Sequence, residues 1–256
     1  MDITQQGSVE IGLEGGIATI TFFHPSHNSL PGRLLAELTQ TILDAGANEA
    51  VKLIVLQSAG ARTFCAGASF DELAAIEDFP TGKKFFLGFA NVINAIRTCG
   101  KLVIGRVQGK AVGGGVGLAA ATDYCMATKY ASVKLSELAV GIGPFVVGPA
   151  VERKVGLSAM SQMAINATEW QTAEWAKQKG LFTEVFESVE QLDAYLATFT
   201  ERLASHNPEA CADLKKIFWQ GTEHWDQLLE ERAEISGRLV LSTFTKEAIA
   251  RFKAKA

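Results

Sequence analysis

Residues 109–121 read Gly-Lys-Ala-Val-Gly-Gly-Gly-Val-Gly-Leu-Ala-Ala-Ala. No other stretch constrains the fold as tightly. Three consecutive glycines followed by a small-residue helix leave free N–H groups at a helix N-terminus. Such an end favours an anion or a developing oxyanion. The same small residues also suit close packing of a helix on a sheet, and composition alone does not choose. The run follows Leu102–Val107, an apolar segment that reads as a core strand.

A second small-residue segment, Gly60-Ala61-Arg62-Thr63-Phe64-Cys65-Ala66-Gly67-Ala68-Ser69-Phe70, follows another strand-like run at 51–56. Ligand sites of open α/β sheets favour the carboxyl ends of strands. Small residues there let a ligand reach backbone N–H groups. A tight packing loop is the other reading.

Around these loops the first half alternates two periodicities. Residues 17–22 alternate and are β-branched, so they read as a strand. Helical spacing of Leu34, Leu35, Leu38, Ile42 and Leu43 predicts a helix over 33–47. Phe85, Phe86, Phe89, Val92, Ile93 and Ile96 predict another, its apolar stripe read as core. Residues 123–127 and 132–135 read as further strands. Beyond about residue 150 strand signals nearly stop, and 191–204, 208–219, 223–241 and Thr243–Lys253 read as helices. The expectation is an α/β core over 1–195 and a helical C-terminal region over 196–256.

Composition narrows the function. Lys plus Arg number 24 against 28 Asp plus Glu, a net charge of −4. No basic excess exists to displace counterions, so nucleic acid is not an expected partner. The uncharged stretch 138–151 is too short to span a membrane and contains Pro144 and Pro149. Residues 1–6 lack the basic and apolar regions of a secretory leader. Cys65, Cys99, Cys125 and Cys211 are widely and irregularly spaced, which fits reduced thiols in a cytoplasmic protein. His24, His27, His206 and His224 form no ligand pattern, so no metal site is expected.

Glu137 precedes the uncharged stretch. It is either a surface residue at a strand end or a desolvated base, and burial would raise its pKa toward the range useful for proton transfer. Gly115-x-Gly117-x-x-Ala120 with Glu137 also matches a loose dinucleotide fingerprint. The basic tail (Lys246, Arg251, Lys253, Lys255) is a solvated helix face or a contact for a phosphate-rich ligand.

Taken together, the motifs resemble the enoyl-CoA hydratase/isomerase (crotonase) family. Phe64-Cys65-Ala66-Gly67-Ala68 followed by Phe70-Asp71-Glu72-Leu73 is similar to its F-C-A-G-A-D-x-x-E-[ML] segment. Val107-Gln108-Gly109-Lys110-Ala111-Val112-Gly113-Gly114-Gly115 is similar to V-x-G-x-A-x-G-G-G. Glu137, Gly141 and Pro144 match P-E-x-x-x-G-x-x-P, and 173–185 resembles the segment that follows.

The resemblance implies a spiral of ββα units with a helical C-terminal region used in trimer assembly, and a homotrimer or hexamer in solution. It implies an acyl-CoA thioester substrate and no separate cofactor. Ala68 and Gly114 take the positions of the two oxyanion donors. Glu137 takes the position of one catalytic acid, while the second acid's position holds Gly117. Hydration uses two carboxylates. Shifting a 3-enoyl double bond to the 2-position uses one, so isomerisation is the expected reaction. Hydration of a 2-enoyl ester and non-catalytic acyl-CoA binding are the alternatives. Arg62, Ala66, Phe252 and Lys255 match CoA-contacting positions, the last two reaching the CoA of a neighbouring subunit. Ser69, Asp71 and His27 depart from the usual pattern there, and 145–149 brings bulky apolar side chains to the acyl pocket.

Overall fold

A computed structural model describes residues 6–253 of the chain. The elements run β1 (Ser8–Glu14), β2 (Ile17–Phe23), α1 (Gly32–Ala47), β3 (Leu53–Ser58), β4 (Thr63–Cys65), α2 (Phe70–Ala74) and α3 (Phe79–Thr98). They continue with β5 (Leu102–Val107), β6 (Lys110–Val112), α4 (Gly114–Ala121), β7 (Tyr124–Thr128) and β8 (Ser132–Lys134). A 3-10 turn (Glu137–Val140) precedes α5 (Gly148–Ile165), β9 (Gln171–Thr172), α6 (Ala173–Gln178) and β10 (Glu184–Phe186). The chain closes with α7 (Val189–Ala204), α8 (Pro208–Phe218), α9 (Trp225–Leu239) and α10 (Thr243–Lys253).

Two sheets organise these elements. The larger has the order β1-β2-β3-β5-β7-β10, and the smaller β4-β6-β8-β9. Each successive strand pair, β3–β4, β5–β6 and β7–β8, gives its first strand to the large sheet and its second to the small one. After β4 and β6 helices return the chain to the large sheet, whereas after β8 helix α5 leads to β9 of the small sheet and α6 then to β10. The repeated ββα step advances the chain as a spiral, and all pairings from β2 to β10 in the large sheet are parallel.

Strand alternation divides the apolar residues between two layers. Ile54, Leu56, Val103 and Val107 face the main core with α1, α3 and α4. Leu53, Val55, Ile104 and Met126 face the opposite side, where α7 covers them with Leu192 and Leu196. The segment 17–22 is the second strand of the sheet. The first, β1, was not legible because it is an edge whose apolar Ile11 and Leu13 are exposed. Strands β4, β6, β9 and β10 are only two or three residues long, too short for a periodicity to register.

The helices after β10 are tied firmly to the core. α7 runs without a break through residue 195, the expected end of the core region. α9 crosses α3 at Gly82 and Gly237, where a side chain on either would meet the other helix's backbone within about 3 Å. Lys83 on α3 bonds both Glu230 and Glu234 on α9. Asp123, at the end of α4, accepts from the backbone N–H of Val103 (2.7 Å), Lys215 Nζ (2.6 Å) and Trp219 Nε1 (2.8 Å). Lys215 is only 2% exposed, so this is a buried ion pair joining α4 to α8.

Candidate active site

The two small-residue loops meet at the carboxyl ends of β4 and β6. Residues 66–69 are braced by the 27–30 segment. The N–H of Leu30 donates to Gly67 O (2.7 Å), that of Ser69 to Leu30 O (3.1 Å) and that of Ala66 to His27 O (3.2 Å). That segment is itself held by buried Asn28. Its amide donates to Ala59 O and Thr63 O (2.8 and 2.9 Å), and its Oδ1 accepts from His24 N–H (2.9 Å). Nothing local in the sequence marks Asn28 for this role. Its bracing role appears once the partners, more than 30 residues away, are in place.

Gly113, at φ 53° and ψ −114°, turns the chain from β6 into α4 in a conformation open to glycine. The Gly114 N–H that follows opens the helix and has no intrahelical acceptor. Among the described residues neither it nor the Ala68 N–H donates to a protein group. A side chain on Gly67 would sit 3.6 Å from Gly114 N, so the two loops are immediate neighbours. Both unpaired donors stand at the wall of one cavity of about 820 Å³.

Glu137 comes from the 3-10 turn after β8. A Cβ on Gly113 would lie 2.9 Å from its Oε1, so the carboxyl group rests against the backbone that starts α4. Its Oε2 is buried and has no hydrogen-bond partner among the described residues. Burial pushes its pKa up to about 7. The turn is closed by Gly141 in the left-handed region (φ 84°), whose carbonyl accepts from Thr245 Oγ1 of α10 at 3.1 Å. Glu137 is therefore a desolvated base candidate rather than a strand-end surface residue.

The remaining walls are mostly apolar. Phe85, Phe86 and Phe89, part of a stripe read from sequence as core, also line this space, and Phe89 lies over Gly114. Phe145, Val146 and Val147 close another side. Gly117 is wholly buried inside α4. A Cβ there would meet Val147 Cγ1 at 2.5 Å and Val147 Cβ at 2.7 Å. The position lacks an acid and also lacks room for one. The same burial removes the dinucleotide reading. Gly115 packs on Cys65 and Gly117 on Val147, so neither offers a face to a pyrophosphate.

The other candidate positions differ in placement. Ala66 lines the cavity, as do His27 and Asp71. Arg62 is exposed on the turn before β4, away from the cavity wall. Phe252 lies at the cavity of its own chain, its ring 5.2 Å from that of Phe70, and remains 57% exposed. Lys255 lies outside the described residues. The described part of each cysteine environment holds a free thiol, and burial pushes Cys65 and Cys125 up to about 12. Among the described residues no three His, Cys, Asp or Glu side chains gather at metal-binding range, and no helix is long and apolar enough to cross a membrane.

An apolar cavity of this size, two unpaired N–H groups of residues that line it, and one desolvated carboxyl can together hold a carbonyl oxygen and move a proton beside it. Comparison with known proteins identifies the family. Residues 12–255 match the enoyl-CoA hydratase/isomerase family. The chain is 27% identical to the peroxisomal Delta(3,5)-Delta(2,4)-dienoyl-CoA isomerase of Arabidopsis thaliana, covering 88% of this chain and 85% of that protein. It is 25% identical to a probable enoyl-CoA hydratase of Bacillus subtilis, covering 97% and 96%. Its fold superposes on the crystal structure of an enoyl-CoA hydratase from Bacillus halodurans with a TM-score of 0.87, at 22% identity over 95% of this chain and 99% of that one. The chain belongs to the enoyl-CoA hydratase/isomerase family of acyl-CoA enzymes.

Proposed function

We propose that the protein is an enoyl-CoA isomerase that moves a 3-enoyl double bond to the 2-position. The thioester oxygen sits between the N–H groups of Ala68 and Gly114. The Glu137 carboxylate takes a proton from C2. The C2–H electrons pass into a dienolate whose negative charge the two N–H groups stabilise. The same carboxyl group then returns a proton to C4, and the double bond settles between C2 and C3. One base and one oxyanion site complete this cycle, so CoA enters as part of the substrate and no resident cofactor is needed.

The observation that carries this reading is the filled space at position 117. Hydration requires a second group that orients and deprotonates water, and Val147 occupies the place where a side chain from α4 would reach. The Phe and Val walls exclude water from the dienolate, which suits return of the proton to carbon. The CoA portion is assigned to the side of Ala66 and Phe252, which line the cavity, and the protein to a cytoplasmic setting in which its thiols stay reduced.

The test is to incubate the enzyme with a 3-enoyl-CoA in heavy water and follow the ester by NMR. The expected product is the conjugated 2-enoyl ester carrying deuterium. Formation of 3-hydroxyacyl-CoA would make the protein a hydratase. A bound but unchanged ester would make it a binding protein.

A trimer, or a pair of trimers, is the proposed assembly. Leu157 and Ile165 on α5 and Leu214, Ile217 and Phe218 on α8 are exposed apolar side chains that an interface would cover. Light scattering should give a mass near three or six times 27.4 kDa, and a monomer mass would exclude it.

A further inference from the structure

The cavity lining includes one lysine, Lys134, that the isomerase cycle does not use; Lys110 and Trp170 lie beside it, outside the lining. Lys134 ends β8, directly opposite Val112 of β6 in a parallel pairing, and both residues line the cavity. Its Nζ lies 4.5 Å from the ring centroid of Trp170, and Lys110 Nζ lies 5.2 Å from the same centroid. Among the described residues neither ammonium group forms an ion pair or a hydrogen bond with an acid. Glu169 is the acidic group that acts on Lys134 electrostatically. Burial and the charge of Lys110 both push the Lys134 pKa down, the condition of a cation short of an anion.

Sheet order fixes where this feature stands relative to β4, and the Lys134 carbonyl accepts from Gly113 N–H at 2.8 Å. The small sheet runs β4-β6-β8-β9. Ala66 and Ala68 follow β4, and Gly114 follows β6. Lys134 is on β8, and Trp170 immediately precedes β9. At roughly 4.8 Å per strand, Lys134 stands about 10 Å from the β4 side. Val140, Ile142 and Phe145 make the cavity lining largely apolar. An apolar lining suits a hydrocarbon chain, and Lys134 within it suits a charged group on that chain.

We propose that Lys134, supported by Lys110 and Trp170, binds an anionic group, a carboxylate at the far end of the acyl chain. This rests on the acyl-CoA reading above and adds the substrate class, an ω-carboxylated enoyl thioester. A phosphate of CoA has the same chemistry, but it belongs to the β4 side of the cavity in that reading.

The test is calorimetric binding at fixed ionic strength of saturated esters, which bind without turnover. Hexanoyl- and octanoyl-CoA are compared with adipoyl- and suberoyl-CoA, on the wild type, Lys134→Met and Lys134→Arg. The wild type is expected to prefer one carboxylated ester over its neutral counterpart by about 10- to 100-fold, the range of a charge-assisted contact. Lys134→Met should erase that preference and leave neutral esters within about twofold, while Lys134→Arg keeps most of it. Equal affinity of the wild type for each pair overturns the proposal and leaves the isomerase reading standing. So does equal weakening of all four esters in Lys134→Met, which would assign the lysine to a CoA phosphate. Failure of every ester to bind overturns the acyl-CoA reading, and this proposal with it.

Discussion

Replacing Glu137 with Gln is expected to cut turnover of a 3-enoyl-CoA by about 100- to 10,000-fold while thioester binding survives. The change keeps the shape and removes the base. The proposed oxyanion donors are backbone groups of other loops, so the change leaves them in place. Full activity in Glu137→Gln would remove Glu137 from the mechanism. The pH dependence follows from the raised pKa of about 7. Only the ionised carboxylate accepts a proton, so kcat/KM of the wild type should climb with pH through about 7. Near pH 5 it should fall to about one hundredth of its plateau.

The same residue gives a stability signature that separates chemistry from misfolding. Its ordinary pKa is 4.5, and the folded value is higher. Between these values the folded chain holds a proton that the unfolded chain releases. Stability therefore falls as pH rises through that window, by an order of 3 kcal/mol if no other group intervenes. Glu137→Gln lacks this loss. It should be inactive yet at least as stable as the wild type at pH 8, and the gain should vanish near pH 4. Thermal melts at both pH values read this directly.

Lys215→Met should destabilise the fold by about 3–5 kcal/mol, because it leaves the buried Asp123 carboxylate hydrogen-bonded only by the neutral Val103 N–H and Trp219 Nε1, with Lys154 the remaining nearby cation, bound to the Asp123 carbonyl. For a chain of this size that corresponds to a fall in Tm of about 6–20 °C. Asp123→Asn should lose stability for the mirrored reason, leaving the ammonium of Lys215 unpaired. A cycle with the double variant isolates the pair's own coupling. A loss under about 1 kcal/mol for Lys215→Met would mean that the pair is hydrated. The energetic weight matters for the site because Asp123 terminates the helix whose first N–H is that of Gly114. A loosened α8 releases the far end of α4.

The parts of the site legible in the sequence are those built from local chain chemistry. Glycine and alanine runs after short apolar strands marked both donor loops, and β5 is observed over Leu102–Val107 as expected. Glu137 was legible from its apolar context. What stayed hidden depends on distant pairing. Asp123 meets Lys215 and Trp219 across more than 90 residues, and no local pattern encodes that. Lys134 and Lys110 carry no local signal of a shared role, since only the pairing of β8 with β6 and β9 brings them to one Trp ring. The Phe85–Phe89 stripe has the periodicity of a buried face. Periodicity does not distinguish a face buried against protein from one that walls a cavity.

The fit of Gly117 against Val147 also limits how this sequence could acquire a second catalytic acid. A single change at 117 drives a side chain into a short, rigid neighbour, and such overpacking costs about 1–3 kcal/mol before any water is oriented. Trimming Val147 first opens a hole in the wall and costs stability with no new chemistry in return. Each single step is penalised, and only the paired change removes the obstruction. The choice between one acid and two is thus held by the shape of the neighbouring loop as well as by one codon, and nearby sequence space offers no gradual path between the two reactions.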